Sequence, residues 1–411
     1  MSNSSASGSI SIARECLGFR LVLMVVFIPI LFKLISPAFI LLGLGAYTYI
    51  IMPTLLTIGI IISIKYLASN IRVGDVVLYF CFGIIIYISK WIYPLSVDFI
   101  DEHYFHFIFQ VVPYYFVGLS IKYDSQVKDF QLIARLGIII NIFWQLCLAL
   151  GLAKVERAED GSLGEQMGIA YSLLFPLLLT IVSAIEKGMA IDKTLAIIGT
   201  MMLFVLGTRG PIIILLTFLA VYLVCVKKYE RNSKLKKTLI ALAIGISFVL
   251  IKPLLGFFMP FASAFGFSTR VFDSFLSNEM LDINNSSYRD EFYLNVWLKT
   301  LEDPTGFGYG FGSDRLFTPN GVYTHNLALE LLCQFGIIGG SILIILLIFM
   351  IVFTFVKIKN YRGRLFSLIM LFCAIGSLQF SQSWITFPLF FVYIGYMVSI
   401  IRNNTTTPIP R

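Results

Sequence analysis

Tyr323-Thr324-His325-Asn326-Leu327-Ala328-Leu329-Glu330 opens a run that passes Gly336-Ile337-Ile338-Gly339 and stays apolar to about residue 356. About 20 apolar residues suffice to cross a hydrocarbon core, so the run from 327 to 356 reads as a membrane helix. Its entrance is polar. It holds one of the chain's three histidines with Asn326 beside it, and Glu330 one turn further on. A polar mouth on an otherwise apolar helix needs a chemical reason.

The rest of the composition agrees with a membrane. Of 411 residues, 58% are hydrophobic and 13% are charged. A soluble domain cannot hide that much apolar side chain, so the fold class is an all-α polytopic membrane protein. Residues 1–411 read as a single integral membrane domain, with no appended soluble part and no internal repeat. The Ser-rich start, Met1 to Ser11, lacks a small-residue cleavage site, so the first apolar run reads as a retained helix. The six cysteines lie in or beside apolar runs and none has CxxC spacing, which argues against disulfides and zinc.

Spans are expected near 20–43, 46–67, 74–94, 105–121, 132–152, 167–185, 193–208, 211–226, 238–256, 327–356, 365–380 and 385–401. The formal charge of +8 sits in short clusters between apolar runs. Those clusters are Lys122/Lys128/Arg135, Lys227 to Lys237, and Lys357/Lys359/Arg362/Arg364. They fall in every second gap, as the positive-inside rule requires. That parity gives about twelve transmembrane helices with both termini cytoplasmic, and it makes topology a better account of the charge than nucleic acid. Lys33, inside the first span, has no account.

Three outer loops carry acids: Asp98 to His106, Lys154 to Glu165, and a long one over 257–326. The long loop has globular texture. Phe257 to Phe275 is aromatic-rich with Gly and Pro and suggests an interfacial or re-entrant segment. Ser287 precedes a short amphipathic helix, with Asp290 in a capping-box-like position, and Asp303-Pro304 ends it. Gly306-Phe307-Gly308-Tyr309-Gly310-Phe311-Gly312 follows. It is not a dinucleotide fingerprint, because no strand–helix unit surrounds it. Its glycines either let a backbone approach a ligand closely or form an irregular turn.

Arg209, in Gly207-Thr208-Arg209-Gly210-Pro211, sits between two spans on the outer side, with Pro211 read as the first residue of the next helix. It is either a functional cation or a snorkelling anchor. His325 and Asn326 open a helix of the same sense, so both helix N-termini would favour an anion on the outer side. His325 reads equally well as an interfacial or capping histidine. Asn326 and Glu330, one turn apart, share a face, and Glu330 could orient a neighbour or pair with an arginine. Arg289 opens the loop helix, where the helix field disfavours a cation unless an anion faces it. Its bland alternative is a solvated surface residue. Arg270 and Arg315 are weaker candidates of that kind. Asp98, Asp101, Glu102, His103 and His106 fix no ligand set and read as a solvated loop, so no metal site is expected.

Taken in order, these elements resemble the bacterial O-antigen polymerase and O-antigen ligase superfamily. Gly207-Thr208-Arg209-Gly210 is similar to its short arginine motif. Tyr288-Arg289 to Pro304, followed by the Gly306 to Gly312 run, is similar to its outer-loop arginine helix. His325-Asn326, nine residues, then Gly336-Ile337-Ile338-Gly339 fits its H–N–x9–G–x–x–G pattern. The N-terminal half matches only in hydropathy, and arginine–x10–glycine motifs of some polymerases are lacking. The resemblance implies a GT-C-like glycosyltransferase in the bacterial inner membrane, with its site facing the periplasm and no metal or other cofactor. Donor and acceptor would be undecaprenyl-pyrophosphate-linked glycans. Membrane lipids and a chain-length regulator protein would be further partners, with no nucleic acid.

In that picture Arg209 and Arg289 bind the pyrophosphate and His325 is the base. Asn326, Glu330, Arg270, Tyr288, Tyr323 and Arg315 would contact substrate. The glycines Gly336 and Gly339 would be helix-packing positions. The modest, aromatic outer loops and the segment Val111 to Gly118 favour polymerase over ligase. A protein oligosaccharyltransferase would carry a longer C-terminal region. A lipid-linked-oligosaccharide flippase would place its polar residues near mid-bilayer on broken helices.

Overall fold

The structure is a computed structural model that describes residues 67–149, 164–206, 208–225, 289–318 and 321–402. The expected spans 20–43 and 238–256, and all but the last residue of 46–67, lie outside the described residues. So do Lys33, Arg270, Tyr288 and the segment Phe257 to Phe275.

Every regular element described is helical. The helices are α1 (Val73–Ile92), α2 (Val97–His106), α3 (Tyr114–Leu119), α4 (Tyr123–Ala149), α5 (Gly164–Lys187), α6 (Ala190–Val205), α7 (Arg209–Cys225), α8 (Arg289–Glu302), α9 (Leu327–Lys357), α10 (Tyr361–Leu371) and α11 (Pro388–Arg402). Among the described residues, α1, α9 and the Met167–Lys187 part of α5 are long and apolar enough to cross a membrane. Two of them need lipid for a physical reason. Helix α9 exposes Ile342, Ile345, Leu346, Ile348, Phe349, Val352 and Val356, and α1 exposes Val77, Leu78, Phe80, Ile84 and Ile85. Apolar bands of that length are not left in water. The chain is a membrane protein.

The described residues divide into two compact units, one of 67–130 with 289–402 and one of 131–225, the division falling inside α4 after Phe130. In the second unit α5 is the central helix, with Leu173, Leu174, Leu177 and Leu178 fully buried. Pro176 lies inside α5. The Thr180 hydroxyl donates to the Pro176 carbonyl at 2.9 Å. Gly137 and Gly199 give the neighbouring helices close passage past Pro176 and Leu177. At one end Arg135 pairs with Asp192 at 2.6 Å and Ser183 donates to the same carboxylate at 2.6 Å.

In the first unit α3 crosses α11 where Gly118 and Gly395 meet, with no room for a Cβ on either. Small residues permit that backbone approach between membrane helices. Beyond it Asp75 receives Arg402 at 2.5 Å and the Tyr115 hydroxyl at 2.9 Å.

Several expectations are corrected. Asp98 to His106 is a helix, not a loop: α2 occupies it, with Ile100 fully buried, while Asp98, Asp101 and Glu102 are exposed as expected. The expected span 105–121 is instead the end of α2, a π-helical turn over Phe107–Val111 and α3. The span at 365–380 likewise changes to a π-helical turn at Phe372–Gly376 and leaves regular structure before 380. Helix α7 starts at Arg209, so Pro211 is its third residue, still within the turn where a missing N–H costs nothing.

Helix α9 is broken at Gly336 (φ 72°, ψ 174°). Gly336 is therefore not a helix-packing glycine. Its missing Cβ makes room for the carbonyl of Gly306 and the amide of Gly308. At Gly339 a Cβ would meet only Phe335 of the same helix.

Candidate active site

The break in α9 is filled by the glycine run. Gly306, Gly308, Gly310 and Gly312 all have positive φ, between 70° and 95°. With glycine at every second position, the ribbon can lie flat against backbone on one side and against side chains on the other. On one side Tyr309 N–H donates to Cys333 O and Gly310 N–H to Gln334 O, both at 3.0 Å, while Ile338 N–H donates back to Gly306 O at 3.2 Å. These bonds satisfy the backbone groups that the helix break sets free. On the other side Gly310 and Gly312 leave no space for a Cβ beside Tyr93, Ser96 and the Phe99 ring. Gly308 thus approaches the backbone of α9, while Gly310 and Gly312 approach side chains near the start of α2. Asp303 ties the ribbon at its start by accepting from Thr305 N–H at 3.0 Å and Gly308 N–H at 2.7 Å.

The ribbon delivers the 3₁₀ turn Ser313–Phe317 to the entrance of α9. There Asp314 and Glu330, both fully buried, flank one guanidinium. Arg315 Nη1 lies 3.4 Å from Asp314 Oδ1 and 3.9 Å from Glu330 Oε1, and its Nη2 donates to Ser383 Oγ at 3.2 Å. Its charge also lies 4.5 Å from the Phe99 ring centre and 5.4 Å from that of Tyr323. Gln334 Nε2 donates to Asp314 at 2.8 Å, and Ser383 donates to Glu330. Arg315 is therefore a counter-ion inside the fold, held by two carboxylates. Glu330 likewise spends Oε1 on this cluster.

Sequence reasoning named Glu330 and Arg315 but missed Asp314, Gln334 and Ser383. The signal was present in part. Glu330 and Gln334 are four apart on one face of an otherwise apolar helix, and Gln382-Ser383 interrupts the gap between the last two expected spans.

Asn326 is the N-cap of α9, its Oδ1 accepting from Ala328 N–H at 3.0 Å and Leu329 N–H at 3.2 Å. Asparagine is among the best residues for that task, worth about 1 kcal/mol. Its carboxamide oxygen thus has a structural use. His325 precedes the cap with φ 53°, the one non-glycine residue with positive φ among those described. The turn around it is pinned from three directions. Asp314 accepts from Thr324 N–H at 3.1 Å. The Tyr323 hydroxyl donates to Ser381 O at 2.7 Å, and its ring lies 4.3 Å from the imidazole. The Tyr293 hydroxyl, on α8, lies 3.5 Å from His325 O. Through Tyr293 the helix that begins at Arg289 and the histidine turn are neighbours within one unit.

Arg209 opens α7 in the other unit, behind a buried Thr208. As for a metal, the described residues hold no group of three or more metal-ligating side chains. Of the acids and histidines on α2, Asp101 pairs with Lys90 at 3.0 Å, and His103 stacks on Phe99 at 4.3 Å.

Residues 194–344 match the family model described as O-antigen ligase. Over this segment the chain is similar to the O-antigen polymerase and ligase superfamily. The match covers less than half of the chain, but it contains Arg209, Arg289, the glycine ribbon, His325, Asn326 and Glu330. Comparison with curated proteins and with solved structures gave no match.

Proposed function

We propose that this O-antigen polymerase/ligase-type membrane enzyme is a polymerase of GT-C type with about twelve spans. It transfers a polyprenyl-pyrophosphate-linked glycan onto the non-reducing end of another lipid-linked repeat, at the periplasmic face of the inner membrane. The observation that carries the reading is the pairing of a histidine in a pinned, positive-φ turn with a helix that begins on an arginine, both inside the segment of family likeness.

In this mechanism His325 accepts the proton of the attacking sugar hydroxyl, and the hydroxyl oxygen bonds to the anomeric carbon. The bond from that carbon to the pyrophosphate oxygen breaks, and the charge released there is held by Arg289. Guanidinium–phosphate pairing is bidentate and strong, and the N-terminus of α8 adds its own field. Arg209 is assigned to the same pyrophosphate by its motif, not by its placement. Attack opposite the leaving group inverts the anomeric centre. The resemblance implies that no divalent ion takes part.

The second reading, ligation of the finished glycan to a lipid A core, is favoured by the family description itself. A deletion strain separates them on a glycolipid gel. A core carrying one repeat supports polymerase, and a bare core with long lipid-linked chains supports ligase. Unprocessed repeats accumulating on the cytoplasmic side would sink both and indicate a flippase. His325→Ala and Arg209→Ala are expected to leave inserted protein without glycan processing. Purified protein with lipid-linked repeats and a chelator tests metal independence.

A further inference from the structure

Asp314 is fully buried and uses both carboxylate oxygens. Oδ1 accepts from Gln334 Nε2 at 2.8 Å and faces Arg315 Nη1 at 3.4 Å. Oδ2 accepts from the Thr324 amide at 3.1 Å and faces its hydroxyl at 3.4 Å. A carboxylate only accepts, so each of these contacts runs towards Asp314. One side chain thereby joins the residue before His325 to the interior of the helix that begins just after it. The positive φ of His325 is a conformation that persists only where the surroundings over-determine it. Asn326 fixes the chain on one side of that residue, and Asp314 fixes it on the other. The glycine ribbon has a reason in the same geometry, because Gly312 (φ 76°) turns the chain into Ser313 and Asp314.

We infer that Asp314 is a positioning residue for the reaction, holding the Thr324–His325 turn so that the imidazole meets the acceptor hydroxyl. The inference rests on the reading of His325 as the base. Displacing a reacting group by about 1 Å can cost on the order of 10²-fold in rate without weakening substrate binding. Asp314→Asn keeps the shape of the side chain but replaces one accepting oxygen with an NH2 donor that faces other donors.

The full-length protein, reconstituted in liposomes with lipid-linked repeats, supplies the test. Asp314→Asn is expected to lower kcat roughly 10- to 100-fold with KM for the donor unchanged. His325→Ala is expected to lower kcat about 10²- to 10⁴-fold. The double variant is expected to be no slower than His325→Ala, because a group that acts through the histidine has nothing left to position. A merely structural Asp314 would instead give losses that multiply, or a lower yield of folded protein with normal turnover per molecule, and either result overturns the inference. If Asp314→Asn fails to insert, Asp314→Glu, which keeps the charge and displaces it by one methylene, carries the same cycle. If His325→Ala keeps full activity, it is the base assignment that fails. If His325→Ala is impaired while Asp314→Asn turns over normally, the base stands and the positioning role fails.

Discussion

Gly336 and Gly306 touch backbone to backbone: the carbonyl of Gly306 occupies the space where a side chain on Gly336 would begin. The contact explains why an apolar helix long enough to span a membrane breaks ten residues after its cap. The break is not a flaw in the helix, because the inserted ribbon pairs with the freed amides and carbonyls.

Gly336→Ala should therefore destabilise the protein by more than about 1 kcal/mol, since it meets both a steric block and a positive φ. Gly339→Ala, three residues on, has only Phe335 of its own helix nearby. A Cβ there would lie 3.2 Å from the Phe335 Cβ, with no backbone in the way and no positive φ, so Gly339→Ala should cost clearly less than Gly336→Ala. Thermal unfolding of the two variants in one detergent compares them directly, and equal losses would contradict the ribbon contact.

Arg315 is expected to be worth more than either carboxylate it serves. Arg315→Met leaves Asp314 and Glu330 buried without their cation, and removing one partner of a buried pair costs about 3–5 kcal/mol. Glu330→Gln keeps a hydrogen-bonding group beside Ser383 and should cost clearly less. Urea or thermal unfolding of both variants checks the order.

Asn326 carries a test of its two roles. Asn326→Ala should lose about 1 kcal/mol of stability, and Asn326→Ser should recover most of it, because serine caps nearly as well. If turnover follows stability through the pair, Asn326 acts as a cap. Loss of turnover in a stable Asn326→Ser variant would restore the substrate contact expected from the sequence.

Asp303 gives a pH dependence outside the membrane spans. Burial pushes its carboxyl up, but the Gly308 amide and the Thr305 amide and hydroxyl outweigh that and hold it below its ordinary 3.8. A group with a lowered folded pKa contributes stability that is complete above its unfolded pKa. That stability fades as pH falls through the folded value. Wild-type protein should thus lose stability below about pH 4 relative to its value at neutral pH, and Asp303→Asn should flatten that part of the curve. The comparison is made by thermal unfolding between pH 3 and pH 7, at about half-unit steps. An unchanged slope in Asp303→Asn counts against the carboxylate as the ribbon's tie.

The loop helix shows how far local signals reached. Its end at Asp303-Pro304 was readable because a proline disfavours helix in the residue before it, and α8 does end at Glu302. The Asp98 to His106 segment shows the limit. Its charges suggested water, yet Ile100 is fully buried and Phe99 packs against Phe311, Gly312 and Arg315, about 210 residues away. Local composition holds no record of that.

By itself the sequence determined a helical membrane protein, the polar entrance of α9, and the order of Arg209, Arg289 and His325 along the chain. Those follow from apolar run length, charge placement and turn chemistry, all of which act over a few residues. Only the tertiary structure decided what the polar entrance is made of. It turned Arg315 inward and brought in Asp314, Gln334 and Ser383. It also gave Gly336 to a ribbon 30 residues upstream, not to a neighbouring helix. The reason is that a buried charge takes the nearest partners the packed chain supplies, and which partners those are depends on contacts between distant segments.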